Sequence, residues 1–368
     1  MQSVLRVFLL ALVCLPLPGW AFATDGQAPL EEIRHILATR LVPLPAKSDL
    51  QSLATDTLAR DLTHLDPYAR FFPAPTPLRQ TDDKAHQAGI GAQLFPRSGN
   101  ILLSPYPGGA LARAGITERS ILLAIDGLAL QDRAPTAVAA MLQGQPDSLV
   151  RLRLRPLSKA SELTVEVARS YFRPLDVERV GAHGQPVLRI REFIAGQTRS
   201  ALKASIRFLD LQTSPLIIDL RESGGGDLFE ALDCAGLFVA QGTALGGLRT
   251  RESGKSVFFS PPGDKASMLV VLLIGPDTAS AAEVFAAALQ HHGRAVLIGR
   301  PTYGKCTTQT EVELSDGSVL RFTNGQILAP GGQTCWSSGL VPDVLVSEDA
   351  LYNLQLLLEK AAVFLETS

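Results

Sequence analysis

The spacing of apolar residues divides the chain into stretches of different predicted structure. In residues 24–85, leucine and isoleucine recur every three or four positions, which predicts interrupted helices. The stretch ends in LDPYARFFPAPTP, whose prolines stop any helix. In residues 86–170, short strand-like runs surround two short helical patterns, and Val150–Leu154 alternates strictly between apolar and polar positions. Many strands with two helices predict a small, partly open barrel.

Residues 171–349 alternate strands with helices. The runs LIIDL, MLVVLLIG and AVLIG are continuously apolar, which is typical of strands covered on both faces. A helical pattern follows the first two of these strands, and this order predicts an α/β layered core. Residues 350–368 form one amphipathic pattern, which predicts a C-terminal helix docked on the core. The apolar face of that helix consists of Leu351, Leu354, Leu358, Ala361 and Leu365.

The first residues have the pattern of an export signal. Arg6 gives a positive start, Val7–Leu15 is apolar, and Ala21-Phe22-Ala23 fits the small-x-small cleavage rule. A membrane anchor is disfavoured because a spanning helix needs about 20 apolar residues. Bulky residues before Cys14 disfavour a lipoprotein. We expect residues 1–23 to be a signal peptide and the protein to be exported, to the periplasm of a bacterium.

Composition excludes some function classes and leaves a disulfide open. The 368 residues are 46% apolar and 19% charged with a formal net charge of -2, a globular composition without a basic stripe for nucleic acid. Export permits disulfides. Cys234 lies in an apolar helical pattern and is expected to be a buried free thiol. Cys306 and Cys335 are the favoured pair, closing a loop worth about 3–4 kcal/mol in the chain-entropy model.

Ser280, in the phrase PDTASAAE, is the candidate nucleophile. It stands where a predicted buried strand passes into a helix, so free amides of the helix start could bind a developing oxyanion. The structural alternative is a capping box formed by Ser280 and Glu283. The two interpretations are compatible, since Thr278 could serve as the cap.

The candidate base is Lys305, in PTYGKCTTQ. His291 and His292 lie about 17 Å from Ser280 along the same helix, which is too far to act. A lysine can act as a base if burial lowers its pKa toward about 7–8. Strand-like alternation would place Gln309 on the same side as Lys305, where it could hold the amine. A solvated loop lysine and a distant histidine such as His64 stay open.

A glycine triple follows the predicted strand LIIDL, in the phrase LIIDLRESGGG. The absence of a following G-K-[ST] or of G-x-G-x-x-G spacing disfavours a nucleotide site. The segment is either a tight turn or a source of oxyanion-binding amides.

Together these phrases resemble the carboxyl-terminal processing (tail-specific) peptidases. Thr278–Glu283 is similar to the family pattern T-A-S-A-S-E, and Lys305 stands 25 residues after Ser280, as in the F-G-K-G motif of the family. DLRESGGG is similar to D-L-R-N-N-P-G-G, and SSGLVPDV to the end of the family core. LDPYARFF and GALARAGITERSILLAIDG resemble the family segments before and within a PDZ domain.

The resemblance implies a role for each matched residue. Ser280 would be the nucleophile, Lys305 the general base and Gln309 its orienter. The backbone amides of Ala281 and of Gly225 or Gly226 would form the oxyanion hole. The PDZ loop Gly89-Ile90-Gly91-Ala92 would receive a substrate carboxylate. No metal or organic cofactor is implied.

The resemblance also implies a domain order. We expect a signal peptide (1–23), an N-terminal helical segment (24–85), a PDZ domain (86–170), a crotonase-like, Clp-protease-like peptidase core (171–349) and a C-terminal helix (350–368). The chain departs from the family at Arg119-Ser120, which replaces Gly-Asp and is expected to alter only a turn. Glu222 and Ser223 replace two asparagines, and Cys306 replaces the glycine after the base.

The expected function is cleavage of exported proteins near their C-termini by a Ser–Lys dyad, with substrate tails bound by the PDZ domain. Alternatives on the same fold are a non-catalytic ligand-binding protein and a tail-binding scaffold. An activating adaptor protein docked on the N-terminal helices, and a homo-oligomer, also stay open.

Overall fold

The structure, a computed structural model, describes residues 29–74, 88–97, 99–130, 133, 135–175, 177–182, 185–209, 215–263, 266–332 and 338–367. The predicted signal peptide and Cys335 lie outside these residues. None of the helices in the described part of the chain is long and apolar enough to cross a membrane.

The N-terminal segment is helical, as its apolar spacing predicts, but it also contributes a strand. Its elements are α1 (Leu30–Arg40), α2 (Lys47–Gln51), α3 (Leu58–Leu65) and β1 (Arg70–Phe72). Strand β1 pairs antiparallel with β16 (Val319–Leu328). The apolar faces of the helices, including Ile33 and Leu62, share one buried cluster with Leu320 and Phe322 of β16. The segment is therefore built into the core.

The second part of the chain forms a six-stranded antiparallel sheet with its own core. Its elements are β2 (Ala92–Arg97), β3 (Asn100–Pro105), α4 (Ala110–Arg113), β4 (Ser120–Ile125), β5 (Leu128–Ala129), α5 (Pro135–Leu142), β6 (Leu149–Pro156) and β7 (Leu163–Ala168). The strand order is β2-β3-β4-β6-β7, with β5 paired to β4. In β6, Val150, Leu152 and Leu154 are buried and the residues between them are not, as the alternation predicts.

The α/β core has a largely parallel six-stranded sheet of order β17-β14-β13-β10-β9-β8. Its strands are β8 (Glu178–Ala182), β9 (Gln185–Arg189), β10 (Leu216–Asp219), β13 (Val270–Ile274), β14 (Ala295–Gly299) and β17 (Val344–Leu345). Strands β10 and β13 are buried throughout, as continuously apolar runs predict. Helices α6 (Thr198–Arg207), α7 (Leu228–Ala235) and α8 (Ala281–His291) complete the layer.

A second core sheet has the order β1-β16-β11-β12, with β15 paired to β16. Its remaining strands are β11 (Ala244–Thr250), β12 (Gly254–Phe259) and β15 (Thr307–Glu313). Because β15 follows Lys305 and β1 follows the phrase LDPY, this sheet brings the N-terminal segment beside the candidate base.

The C-terminal segment docks on the core as two helices, where the sequence predicts one. Helices α9 (Glu348–Leu351) and α10 (Leu354–Thr367) are separated because the Asn353 side chain accepts a hydrogen bond from the Leu356 amide and starts a new helix. Leu351, Leu357 and Ala361 are buried against the sheet.

Candidate active site

Ser280 lies at the strand-to-helix junction, in a strained backbone conformation. It is half-buried, with φ 56° and ψ −122°, just after the buried strand β13 and before the first residue of α8. Non-glycine residues rarely adopt positive φ, and such strain persists only where surrounding bonds hold it. The conformation of Ser280 is therefore a property of the loop around it.

Hydrogen bonds tie this loop to the ends of neighbouring strands. Thr278 Oγ1 donates to the Leu220 carbonyl at 2.8 Å and accepts from the Gly275 amide at 2.9 Å. Thr278 therefore holds the loop to the end of β10, and the expectation that it caps α8 is wrong. The Ala279 amide donates to the Ser223 carbonyl at 2.9 Å, which joins the loop to the glycine-rich turn.

Glu283 connects the Ser280 loop with the Lys305 loop. Its carboxylate is fully buried. Oε2 accepts from the amides of Ser280 and Lys305, each at 2.9 Å, and Oε1 accepts from the Gly304 amide and the Thr302 hydroxyl. Burial raises the pKa of Glu283, and these four donors oppose that rise. A residue that the sequence suggested as half of a capping box thus organises both loops.

Lys305 is half-buried beside two residues of the N-terminal segment. Its Nζ lies 4.7 Å from the centre of the Tyr68 ring. Burial lowers the pKa of Lys305, the charge of Arg321 lowers it further, and Asp66 opposes them. Burial raises the pKa of Tyr68 to about 12, so its ring meets the amine as a neutral phenol. A lysine with a lowered pKa is suited to accept a proton.

The strand alternation expected between Lys305 and Gln309 is interrupted. Strand β15 begins only at Thr307, and its pairing with β16 shifts register between Thr308 and Gln309, which breaks the alternation. The Gln309 amide nitrogen donates to Thr307 Oγ1 at 2.9 Å and Thr323 Oγ1 at 3.4 Å. The bonds among the described residues include none between Gln309 and Lys305, and its role as orienter stays a prediction.

The glycine-rich turn packs directly against Ser280. Gly225 has φ 103°, and a Cβ added there would lie 2.7 Å from the Ala279 carbonyl oxygen and 2.9 Å from Ser280 Cβ. The Gly226 backbone packs equally close to Phe193. Within the described chain, the amides of Gly225, Gly226 and Ala281 have no hydrogen-bond acceptor. Unused amides beside a serine are the donors that an oxyanion requires.

A cavity of about 600 Å³ opens on this region. Its lining includes Lys305, Ala279 and Gly224 from the core, Tyr68 from the N-terminal segment and Phe95 from β2. Strand β2 thus supplies one wall of the candidate active site. None of the histidines in the described chain lines the cavity. His64 is exposed on α3, and His292 contacts the Ala244 carbonyl at 2.7 Å.

A second cavity, of about 530 Å³, contains the predicted carboxylate-binding loop. Gly89, Ile90, Gly91 and Ala92 line it together with α5. Gly89 exchanges two backbone hydrogen bonds with Ser170, at 3.1 and 2.9 Å, so its amide is already occupied. A ligand carboxylate would therefore meet the next amides of the loop.

The cysteines divide as expected where the structure describes them. Cys234 is buried and free, and burial raises the pKa of its thiol, so that prediction is confirmed. Cys306 is disulfide-bonded to a partner outside the described residues. Its pairing with Cys335 stays a prediction. The described residues contain no group of three His, Cys, Asp or Glu side chains placed to hold a metal.

The sequence did not indicate that Asp66 and Tyr68 belong to this site. Both lie in LDPYARFF, and Asp66 accepts from the amide and hydroxyl of Thr323 at 2.7 and 3.1 Å. The signal was the aspartate and tyrosine in a short phrase rich in apolar residues and followed by prolines. Only the pairing of β1 with β16 brings them to Lys305.

Sequence comparisons agree with this arrangement of domains. The profile described as Peptidase family S41 matches residues 186–346, and a PDZ domain profile matches residues 101–156. A probable CtpA-like serine protease of Staphylococcus aureus (strain N315) is 24% identical over 332 residues, covering 89% of this chain and 66% of that protein. The protein of the same description from Staphylococcus saprophyticus is 25% identical, with coverages of 90% and 68%. The chain therefore spans about two thirds of the length of these relatives.

Solved structures with the same fold cover almost the whole chain. The photosystem II D1 C-terminal processing protease superposes with a TM-score of 0.69 at 24% identity, covering 92% of this chain and 96% of that one. A putative S41 protease from Bacteroides fragilis superposes with a TM-score of 0.60 at 17% identity, covering 96% and 99%.

Proposed function

Since the chain belongs to the C-terminal processing peptidases of family S41, with a PDZ domain, we propose that it is an exported serine endopeptidase that cleaves proteins near their C-termini. The observation that carries the proposal is the junction of three loops. Glu283 Oε2 accepts from the amides of Ser280 and Lys305, and among the residues that the structure describes the amides of Gly225 and Ala281 have no acceptor. The loops that carry the proposed nucleophile, base and oxyanion donors thus meet beside one cavity, which Lys305, Ala279 and Gly224 line.

The proposed chemistry follows from these positions. Neutral Lys305 takes the proton of the Ser280 hydroxyl as Oγ attacks the scissile carbonyl carbon. The amides of Ala281 and Gly225 or Gly226 stabilise the oxyanion. The lysine then gives its proton to the leaving amine, and water hydrolyses the acyl-enzyme. Gln309 is proposed to orient Lys305 during these transfers, through the carbonyl end of its amide.

The PDZ cavity is proposed to bind the substrate tail. Its apolar lining, including Ile90 and Leu94, suits an apolar terminal side chain, and the amides of Ile90 and Gly91 suit a carboxylate. The core is proposed to be crotonase-like. Export is proposed from the first 23 residues, with the periplasm as destination. We propose protein substrates as the partners, and leave an activating adaptor and a homo-oligomer to experiment.

The experiment compares residues 24–368 with the Ser280→Ala and Lys305→Ala variants on casein and on a peptide with a free apolar C-terminus. We expect only the unmodified chain to cleave these substrates, at a rate that chelators leave unchanged. We also expect a fluorophosphonate to label it at Ser280. Cleavage that survives Lys305→Ala contradicts the choice of base. A chain that neither cleaves nor labels supports the alternative of a binding protein on the same fold.

A further inference from the structure

Arg119, a PDZ-domain residue, contacts both loops of the candidate active site. Its Nη2 donates to Asp277 Oδ2 at 2.7 Å, and its Nε lies 3.5 Å from Glu222 Oε1. Asp277 stands three residues before Ser280, and Glu222 stands three residues before Gly225. One side chain of the PDZ domain is therefore joined to the nucleophile loop and to the turn that carries the oxyanion amides.

The guanidinium of Arg119 is held in a buried junction. It lies between two aromatic rings, with its carbon 5.0 Å from the centre of Phe95 and 4.9 Å from the centre of Tyr352. The side chains of Arg119 and Asp277 are each only 9% exposed. Because solvent screens buried ion pairs weakly, these contacts act more strongly than surface pairs do. Phe95 also lines the active-site cavity, so the junction adjoins the reacting groups.

Glu222 is held from its other side by Arg191 of the core and by Ser104 of the PDZ-domain strand β3. Its Oε2 accepts from Arg191 Nη1 and from Ser104 Oγ. Oε2 of Glu222 is therefore hydrogen-bonded to Arg191 and Ser104, whereas Oε1 faces Arg119 Nε as an ion pair at 3.5 Å without a hydrogen bond. The two departures from the family pattern, Arg119 and Glu222, carry opposite charges and meet in space. The expectation that Arg119 alters only a turn is wrong.

We propose that Arg119 is a positioning residue. It couples the position of the PDZ domain on the core to the relative placement of the Ser280 loop and the Gly225 turn. The inference rests on the proposed function. The nucleophile and one oxyanion donor stand on different loops, and a displacement of about 1 Å can cost about 10²-fold in rate. A planar guanidinium reaches two carboxylates in a fixed geometry, whereas a lysine ammonium is a single point charge.

The test compares Arg119→Gln, Arg119→Lys, Glu222→Gln and the double variant Arg119→Gln/Glu222→Gln. The matched control is Arg151→Gln, which breaks the exposed PDZ-domain pair with Glu166. The readouts are kcat and KM on a peptide, the rate of fluorophosphonate labelling at Ser280, and amide hydrogen exchange in residues 221–226 and 276–283. Thermal unfolding checks that each variant is folded, and if Arg119→Gln is unfolded, Arg119→Lys and Glu222→Gln carry the test.

The expected result for Arg119→Gln is a fall of about 10-fold or more in kcat and labelling rate, with KM changed by less than about 3-fold. Exchange in both segments becomes faster. Arg119→Lys recovers part of the loss, and the double variant loses less than the sum of the two single losses because Arg119 and Glu222 share one contact. Arg151→Gln behaves like the unmodified chain.

The proposal is overturned if Arg119→Gln keeps the kcat, labelling rate and exchange of the unmodified chain, or if Arg151→Gln shows the same losses. A chain without cleavage or labelling in any form contradicts the proposed function instead. In that case hydrogen exchange alone decides. Faster exchange of both segments in Arg119→Gln and not in Arg151→Gln supports the coupling, and unchanged exchange rejects it.

Discussion

The backbone amides of Ser280 and Lys305 donate to the same oxygen, Glu283 Oε2, at 2.9 Å each. The two amide nitrogens can therefore be no further apart than twice that distance, although 25 residues separate them in the chain. The fully buried carboxylate accepts four donors in all, and no neutral side chain of the same shape offers four acceptor sites.

Replacing Glu283 by glutamine is expected to separate the two loops. The amide group turns an NH₂ toward N–H donors, so the variant should lose about 1–3 kcal/mol in the free energy of unfolding through unsatisfied buried groups. Fluorophosphonate labelling at Ser280 should fall sharply. Urea unfolding and labelling kinetics measure the two effects.

The control for that variant is Glu230→Gln. Glu230 is also buried and accepts from the amides of Gly196 and Arg199, at 2.7 and 2.6 Å. The Glu230→Gln variant should lose a comparable free energy of unfolding and keep the fluorophosphonate labelling rate of Ser280. Equal labelling in both variants would contradict the role given to Glu283.

The pH dependence of cleavage should follow the charge of Lys305. The reaction needs the neutral amine, so the rate should rise with pH through a pKa below the ordinary value of about 10.4. Arg321→Gln removes a charge that lowers this pKa and leaves Glu311 without its partner, and both changes favour the ammonium. The rising limb should therefore move to higher pH. Arg249→Gln, an exposed arginine of the same sheet, should leave it in place.

Gly225→Ala tests the close packing of the glycine turn on Ser280. The added Cβ would lie within 2.9 Å of Ser280 Cβ and of the Ala281 nitrogen at φ 103°. Gly242→Ala is the control, because Gly242 has φ 77° with nothing within 4 Å of its added Cβ. Both variants should lose about 1–2 kcal/mol through backbone strain. Only Gly225→Ala should also lose labelling of Ser280, and a normally labelled Gly225→Ala protein would remove Gly225 from the site.

Asp219 should contribute stability that depends on pH. Burial acts to raise its pKa, but Arg221 and Arg189 outweigh burial and hold the pKa below its ordinary value. A group with a depressed pKa stabilises the fold above its unfolded pKa, about 3.9, and loses that effect as the pH falls.

Asp219→Asn should therefore cost about 3–5 kcal/mol at neutral pH, because the buried guanidinium of Arg221 and the partly buried one of Arg189 lose their partner. The cost should shrink in acid. Glu166→Gln, in an exposed pair, should cost less than about 1 kcal/mol. Urea unfolding at pH 7 and at about pH 2–3, below the unfolded pKa of about 3.9, gives both comparisons. An Asp219→Asn protein as stable as the unmodified chain at pH 7 would contradict the assignment.

The sequence by itself indicated most of the elements and the resemblance to a peptidase family. Alternation identified β6, and continuous apolar runs identified β10 and β13. TASAAE with a lysine 25 residues later indicated a family that the profile match supports. These signals are local, because the spacing of apolar side chains and the short sequence motifs both depend on residues that are close together in the chain.

The tertiary structure alone decided which distant residues surround the reacting groups. Tyr68 reaches Lys305 because β1 pairs with β16, and a register shift between Thr308 and Gln309 interrupts the expected alternation of that strand. Arg119 meets Glu222 across the junction between domains, though each taken alone indicated only a substitution in a turn. Such contacts depend on strand pairing and on the packing of one domain against another. Both bring together residues that are far apart in the chain, and neither leaves a periodic signal in the sequence.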